Sequence, residues 1–202
     1  MLSTTNSLNL HKIHCIKMKS NWIKVSAIAV LVLIAAFSRL IPHPSNFTAI
    51  GAIAIFGAYT IQNKWISTII PLLAMWISDL FINNIVYASY YTSMVWFSEG
   101  FAWIYTGILA QSIISWFLIS ENKFTNITSS SLLGAIAFFI LSNIGVWIGS
   151  TMYPHTLAGL TTCFGAAIPF FANTLAGNLF FSAILFGSYF LVEKKTNSFQ
   201  TV

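Results

Sequence analysis

The sequence predicts an all-α membrane protein, a bundle of six transmembrane helices. Three observations carry that prediction. Hydrophobic residues make up 57% of the 202 positions and charged residues only 6%, against about a quarter charged in soluble domains. So few charges cannot cover a water-facing surface. The apolar residues also fall in long runs and not in the short alternating segments of a barrel strand. Finally, nearly all the charges lie before, between or after those runs.

A helix needs about 20 residues to cross the hydrocarbon core, and six runs approach that length. Residues 22–41 form the first and are stopped by Pro42. Residues 47–61 form the second, the shortest, which reads as a thin or partly buried span. The third is 65–86, with Pro71 in its first half, and the fourth is 101–119. Residues 131–151 are the fifth. The sixth, 164–192, is long enough to tilt or to bend near Pro169. Residues 1–21 read as a basic leader and 193–202 as a short tail. The leader is long, and the first run ends in Arg39-Leu40-Ile41-Pro42 without a small-x-small cleavage site. A retained first helix is expected, not a cleaved signal peptide.

The net charge of +5 does not point to nucleic acid, because the cations form no binding stripe. Lys12, Lys17, Lys19, Lys24, Lys64, Lys123, Lys194 and Lys195 all fall on one side of a six-span topology, and Arg39 alone lies near the other. That bias places the lysine side, with both termini, in the cytoplasm of an inner (plasma) membrane protein.

Polar residues inside the runs carry the functional expectation. An ionisable group in hydrocarbon costs about 2.5–3.5 kcal/mol on insertion scales and usually faces a cavity or a partner. Arg39, near the outer end of the first run, and Asp79, in the outer half of the third, are the two clear cases. A pair between them would relieve both. Snorkelling of Arg39 to the headgroups, or a structural hydrogen bond from Asp79, is the bland alternative. Asn83 shares a helix face with Asp79, and Trp147 with Asn143. Asn173 lies one turn after Pro169, where a bend would free a carbonyl. Each amide could simply bridge helices.

The loops on the same side add His43, held in a rigid Pro42-His43-Pro44 turn, with Asn46, Tyr153, His155 and Cys163. Aromatics at this depth are also ordinary interface anchors, and a lone cysteine is commonly a small buried hydrophobe. Cys15 and Cys163 fall on opposite sides and cannot pair, and no zinc-type cluster exists. No cofactor is expected and no metal set is nominated. The Asn46-Phe47-Thr48 and Asn126-Ile127-Thr128 sequons read as chance. Small-residue pairs such as Gly145/Gly149, Ala54/Ala58 and Ala172/Ala176 suit close helix packing.

The stretch Arg39-Leu40-Ile41-Pro42-His43-Pro44-Ser45-Asn46-Phe47-Thr48 is followed by Gly51-Ala52, Pro71-Leu72 and Ser78-Asp79-Leu80. Later come Asn143-Ile144-Gly145-Val146-Trp147, Gly159-Leu160, Cys163 and Ala167-Ile168-Pro169-Phe170-Phe171. Together they resemble an uncharacterised bacterial family of six-helix membrane proteins, similar in turn to the substrate-binding S components of energy-coupling-factor (ECF) transporters. The resemblance implies an outward-facing site for a vitamin or metal ion, a small-molecule ligand, the lipid bilayer as surroundings and an energising transporter module as partner. One departure is visible. Many S components dock through small residues spaced by four on the first helix, and no such pair occurs in residues 22–41.

Three functions stay open at this stage. The first is a substrate-binding or transport component for a small nutrient, with Arg39, His43, Asp79, Asn83, Asn143 and Asn173 in its pocket. The second is a non-catalytic scaffold whose polar residues only join helices. The third is a membrane enzyme built on His155, Cys163 and Asp79, although the chain lacks G-x-S-x-G, H-E-x-x-H and a P-loop. A non-enzyme is the expectation.

Overall fold

The computed structural model describes residues 25–119 and 124–198. The basic leader, Cys15, Lys123 and the end of the tail lie outside those residues. Six helices follow in order, and the described residues contain no strand. They are α1 (Val25–Leu40, ending in a 3-10 turn), α2 (Ile50–Thr60), α3 (Lys64–Phe81), α4 (Phe101–Leu118), α5 (Phe124–Gly149) and α6 (Leu157–Ser198). Successive helices run in opposite directions. We call the end holding residues 41–49, 87–100 and 150–156 the upper end. Lys64, which opens α3, and Lys194 and Lys195, near the end of α6, lie at the lower end.

Four of the helices are long and apolar enough to cross a membrane: α3 with its extension to Val86, α4, α5 and α6. Their polarity is inside out. On α3, Ser67, Thr68, Pro71, Ala74, Ser78 and Asp79 form the buried stripe, at the three- and four-residue spacing of one helix face. Trp65, Ile66, Ile69, Leu73, Ile77 and Phe81 are exposed on the other side. In water that pattern would put the wrong face out. In lipid it satisfies the hydroxyls within the bundle and leaves the large side chains to the acyl chains. Ser67 shows how: its hydroxyl donates to the Lys64 carbonyl at 2.9 Å and accepts from the Trp116 indole of α4 at 3.1 Å.

The second run departs most from a lipid-facing span. α2 has eleven residues, about 16 Å of helix against a core of about 30 Å. Every residue from Ile50 to Gly57 is buried, as expected for a helix apolar all round. Phe56 packs edge-on against Phe186 and Tyr189 of α6, which closes the lower core.

The segment before α2 is irregular backbone packed against α6. The Phe47 N–H donates to the Pro44 carbonyl at 3.0 Å, and Asn46 takes a left-handed φ of 66°. Asn173 of α6 donates to the Ser45 carbonyl at 3.0 Å, and Thr48 rests on Gly177. The segment therefore descends along α6 before the helix begins.

Three boundaries move outward from the sequence reading. α5 begins at Phe124, not at 131. α6 begins at Leu157, not at 164, and runs through Pro169 to Ser198, so part of the expected tail is helical. The missing Pro169 N–H costs one hydrogen bond without ending the helix, because bundle contacts hold both sides.

Candidate functional site

A cavity of about 1000 Å³ occupies the upper half of the bundle, between α2, α3, α4, α5 and α6. Its mouth is edged by Glu99, Gly149, Met152 and Tyr153, and its walls include Trp103, Ile104, Phe138, Val146 and Phe170. The indole of Trp103 occupies the space that a side chain at position 145 would take, so Gly145 is what lets α4 and α5 close around it. The volume suits a small organic ligand.

Arg39 and Asp79 stand on one wall as a buried pair. Arg39 Nη1 lies 2.8 Å from Asp79 Oδ1, with side chains only 12% and 10% exposed. The same nitrogen donates to the Ser78 hydroxyl and, at 3.3 Å, to the Met75 carbonyl. Arg39 therefore does not snorkel. It joins the last turn of α1 to α3 and leaves its Nε–H without a partner. Two charges taken from lipid into one contact neutralise each other, and the pair stands only while both members do.

Asp79 is tied onward to the upper loop. The Ser98 hydroxyl donates to Asp79 Oδ2 at 3.5 Å, and the Asn83 amide donates to Ser98 Oγ at 2.9 Å. Asn83 sits in a π turn, Ile82–Val86, that continues α3 and re-aims the next residues. The neighbouring Asn84 pins the loop. Its Oδ1 accepts from the Val95 N–H at 2.7 Å, and its Nδ2 donates to the Val95 carbonyl at 2.8 Å. The indole of Trp76 adds a bond to the Trp96 carbonyl at 3.1 Å. We expect Asn84→Ala to weaken this attachment by about 2 kcal/mol, for two lost bonds to the loop. Faster amide exchange and proteolysis confined to residues 87–100, with global unfolding nearly unchanged, is the measurable outcome.

Of the residues named from the sequence, Arg39, Asn46, Asp79, Asn83, Asn143, Tyr153 and Cys163 line the cavity. The other four do not. His43 is exposed beyond the bundle end, its Nδ1 2.9 Å from the Pro44 carbonyl. The Trp147 indole donates to the Pro154 carbonyl at 3.0 Å, and its ring packs on His155, 5.5 Å between centroids. Asn173 holds the Ser45 carbonyl. Cys163 is 2% exposed, and its thiol faces the Asn143 carbonyl at 3.6 Å while His155 packs on Trp147. Among the described residues, no group of three His, Cys, Asp or Glu could hold a metal ion.

Sequence reasoning missed the lower part of the cavity. Gln111 and Asn178 line it and are each 2% exposed, with buried Thr174 beside them. Gly107, Gln111 and Ser115 lie one turn apart on α4, as do Thr174, Asn178 and Ser182 on α6. That period of four in polar and small residues was a readable signal.

An inside-out, all-helical bundle with spans of this length is a membrane-type protein. The chain belongs to the DUF6580 family, a family of unknown function, whose model matches residues 19–200. No curated protein and no solved structure matches it.

Proposed function

We propose that this chain is the substrate-binding component of an importer, or a self-contained importer, for a small nutrient. The observation that carries the reading is the cavity of about 1000 Å³, with polar groups converging on it from five helices. Charge supports its direction. Eight of the nine cationic residues lie on the lysine side of the chain, so the positive-inside rule turns the upper end outward. An outward cavity beneath a pinned loop is what capture of a dilute solute requires. The resemblance to ECF S components supports the same reading from the motifs, and their loop-covered site would correspond to residues 87–100 here. The first helix lacks the four-residue spacing used for docking on a shared module, which favours the self-contained form.

The test is thermal unfolding of the purified chain against a panel of water-soluble vitamins, their precursors and divalent metal ions. One member should raise the midpoint progressively with concentration, reaching a stabilisation of about 2.7 kcal/mol at a hundredfold excess over Kd. Ala166→Trp, which places an indole at the exposed cavity wall, should abolish that shift and leave the unliganded midpoint nearly unchanged. A panel in which no member shifts the midpoint overturns the proposal.

A further inference from the structure

We infer that the floor of the cavity receives a neutral carbonyl group, the amide or lactam end of a ligand whose remaining body is largely apolar. This rests on the proposal that the cavity is a ligand site and names the chemistry of what enters it.

Two independent features meet at the floor. The first is the start of α2. An eleven-residue helix begins inside the bundle at Ile50, and its N-cap residue Ala49 offers no side chain to the first-turn N–H groups. Those groups and the helix dipole present partial positive charge to the cavity, where Ile50 and Gly51 form part of the lining. The second is Gln111. Its side chain is buried, lines the same cavity, and its Nε2 has no hydrogen-bond partner. A buried amide donor left without a partner is costly and calls for an acceptor.

The two donors are adjacent. A Cβ at Gly51 would collide with the amides of both Gln111 and Asn178. Glycine is therefore what lets the first turn of α2 and the two amides share one small space. Asn178 is already committed on one side, where its Nδ2 donates to the Ser131 carbonyl at 3.3 Å. Its Oδ1 faces the same space as the Gln111 amide, so the floor offers donors to a carbonyl oxygen and one acceptor to the N–H of an amide or lactam.

Charge selects a neutral acceptor over a carboxylate. Arg39, Asp79 and Glu99 are the charged residues among the cavity lining, and Arg39 is held by Asp79. No cation is left at the floor, and the lining carries a net negative charge. Desolvating an anion there has no formal countercharge to offset it. A carbonyl dipole needs none.

The depth fits a ligand that enters head first. Gln111 lies ten residues along α4 from Phe101, about 15 Å below the upper end. Between floor and mouth the walls are Trp103, Ile104, Phe138 and Phe170, which suit an apolar or aromatic body.

The experiment uses the full chain in nanodiscs, with empty nanodiscs as reference, and three soluble phenyl probes: benzamide, benzoate and aniline, the last without the carbonyl. Calorimetry should show benzamide binding about tenfold tighter than either of the others. Gln111→Leu should remove that preference and leave aniline unchanged. Because a variant at this position could fold poorly, benzamide labelled with ¹³C at the carbonyl is also bound to the wild type. Its resonance should lie at higher frequency than that of benzamide in an aprotic solvent, as that of a carbonyl with donors does. Equal binding of the three probes, with no carbonyl shift, overturns the inference and leaves the cavity reading standing. Preference for benzoate overturns it in favour of an anion site. Binding of none overturns it too, and the vitamin panel then judges the cavity itself.

Discussion

Asp79→Ala should be the most destabilising single polar substitution in the bundle, by about 3–5 kcal/mol. The reason is what it leaves behind. Arg39 is 12% exposed, and its guanidinium is oriented by Asp79 at 2.8 Å and by Ser78 and Met75 on the same helix. Without the carboxylate, a full positive charge stays buried, and the short 3-10 turn that carries it gives little freedom to reach the headgroups. Ser98 loses an acceptor at the same moment, so the loop end is loosened as well. Denaturant titration in mixed micelles would read the loss. The paired substitution Arg39→Met with Asp79→Leu should recover most of it, because replacing a buried ion pair by apolar groups of similar volume is often near neutral. A loss below about 1 kcal/mol for Asp79→Ala would mean that the pair behaves as an exposed surface bridge.

That pair was legible in the sequence because lipid makes ionisable residues conspicuous. Arg39 and Asp79 stand out in runs where almost nothing else is charged. The floor was not legible in the same way. Gln111 and Asn178 are uncharged, and a single amide in a span is usually a helix bridge. Only the structure brings them to one point. α2 shows a different limit: hydropathy measures how apolar a run is and not what surrounds it, so a short helix enclosed by protein scores like a thin span. The helix starts at Phe124 and Leu157 were missed because Thr125, Asn126, Thr128 and Thr156 look like loop residues. Within the helix Thr128 instead donates to the Phe124 and Thr125 carbonyls, at 3.1 Å and 3.0 Å. His43 was expected in the site because two prolines fix its backbone. The structure leaves it exposed, with Nδ1 beside the Pro44 carbonyl and outside the cavity lining.

Gly177→Ala tests whether the irregular segment before α2 is held by close backbone contact. A Cβ there would sit 2.9 Å from the Thr48 nitrogen and 3.0 Å from its carbonyl oxygen, both backbone atoms that no rotamer change can move aside. The segment cannot give locally either. Thr48 N–H is bonded to the Asn46 carbonyl at 3.1 Å, the turn is closed at Phe47, and Ser45 is tied to Asn173. Relief therefore requires the whole stretch to shift from α6, which carries the first turn of α2 away from Asn178 and widens the cavity floor. A destabilisation of about 2–3 kcal/mol is expected, the upper part of the usual range for overpacking. Gly187→Ala supplies the control on the same helix, since a Cβ at that position meets nothing within 4 Å. There alanine gains helix propensity, and stability should rise by about 0.5–1 kcal/mol. Opposite signs for one chemical change, ten residues apart on α6, would locate the effect in the contact with Thr48. Equal small effects at both positions would show that the segment moves freely and does not fix the start of α2.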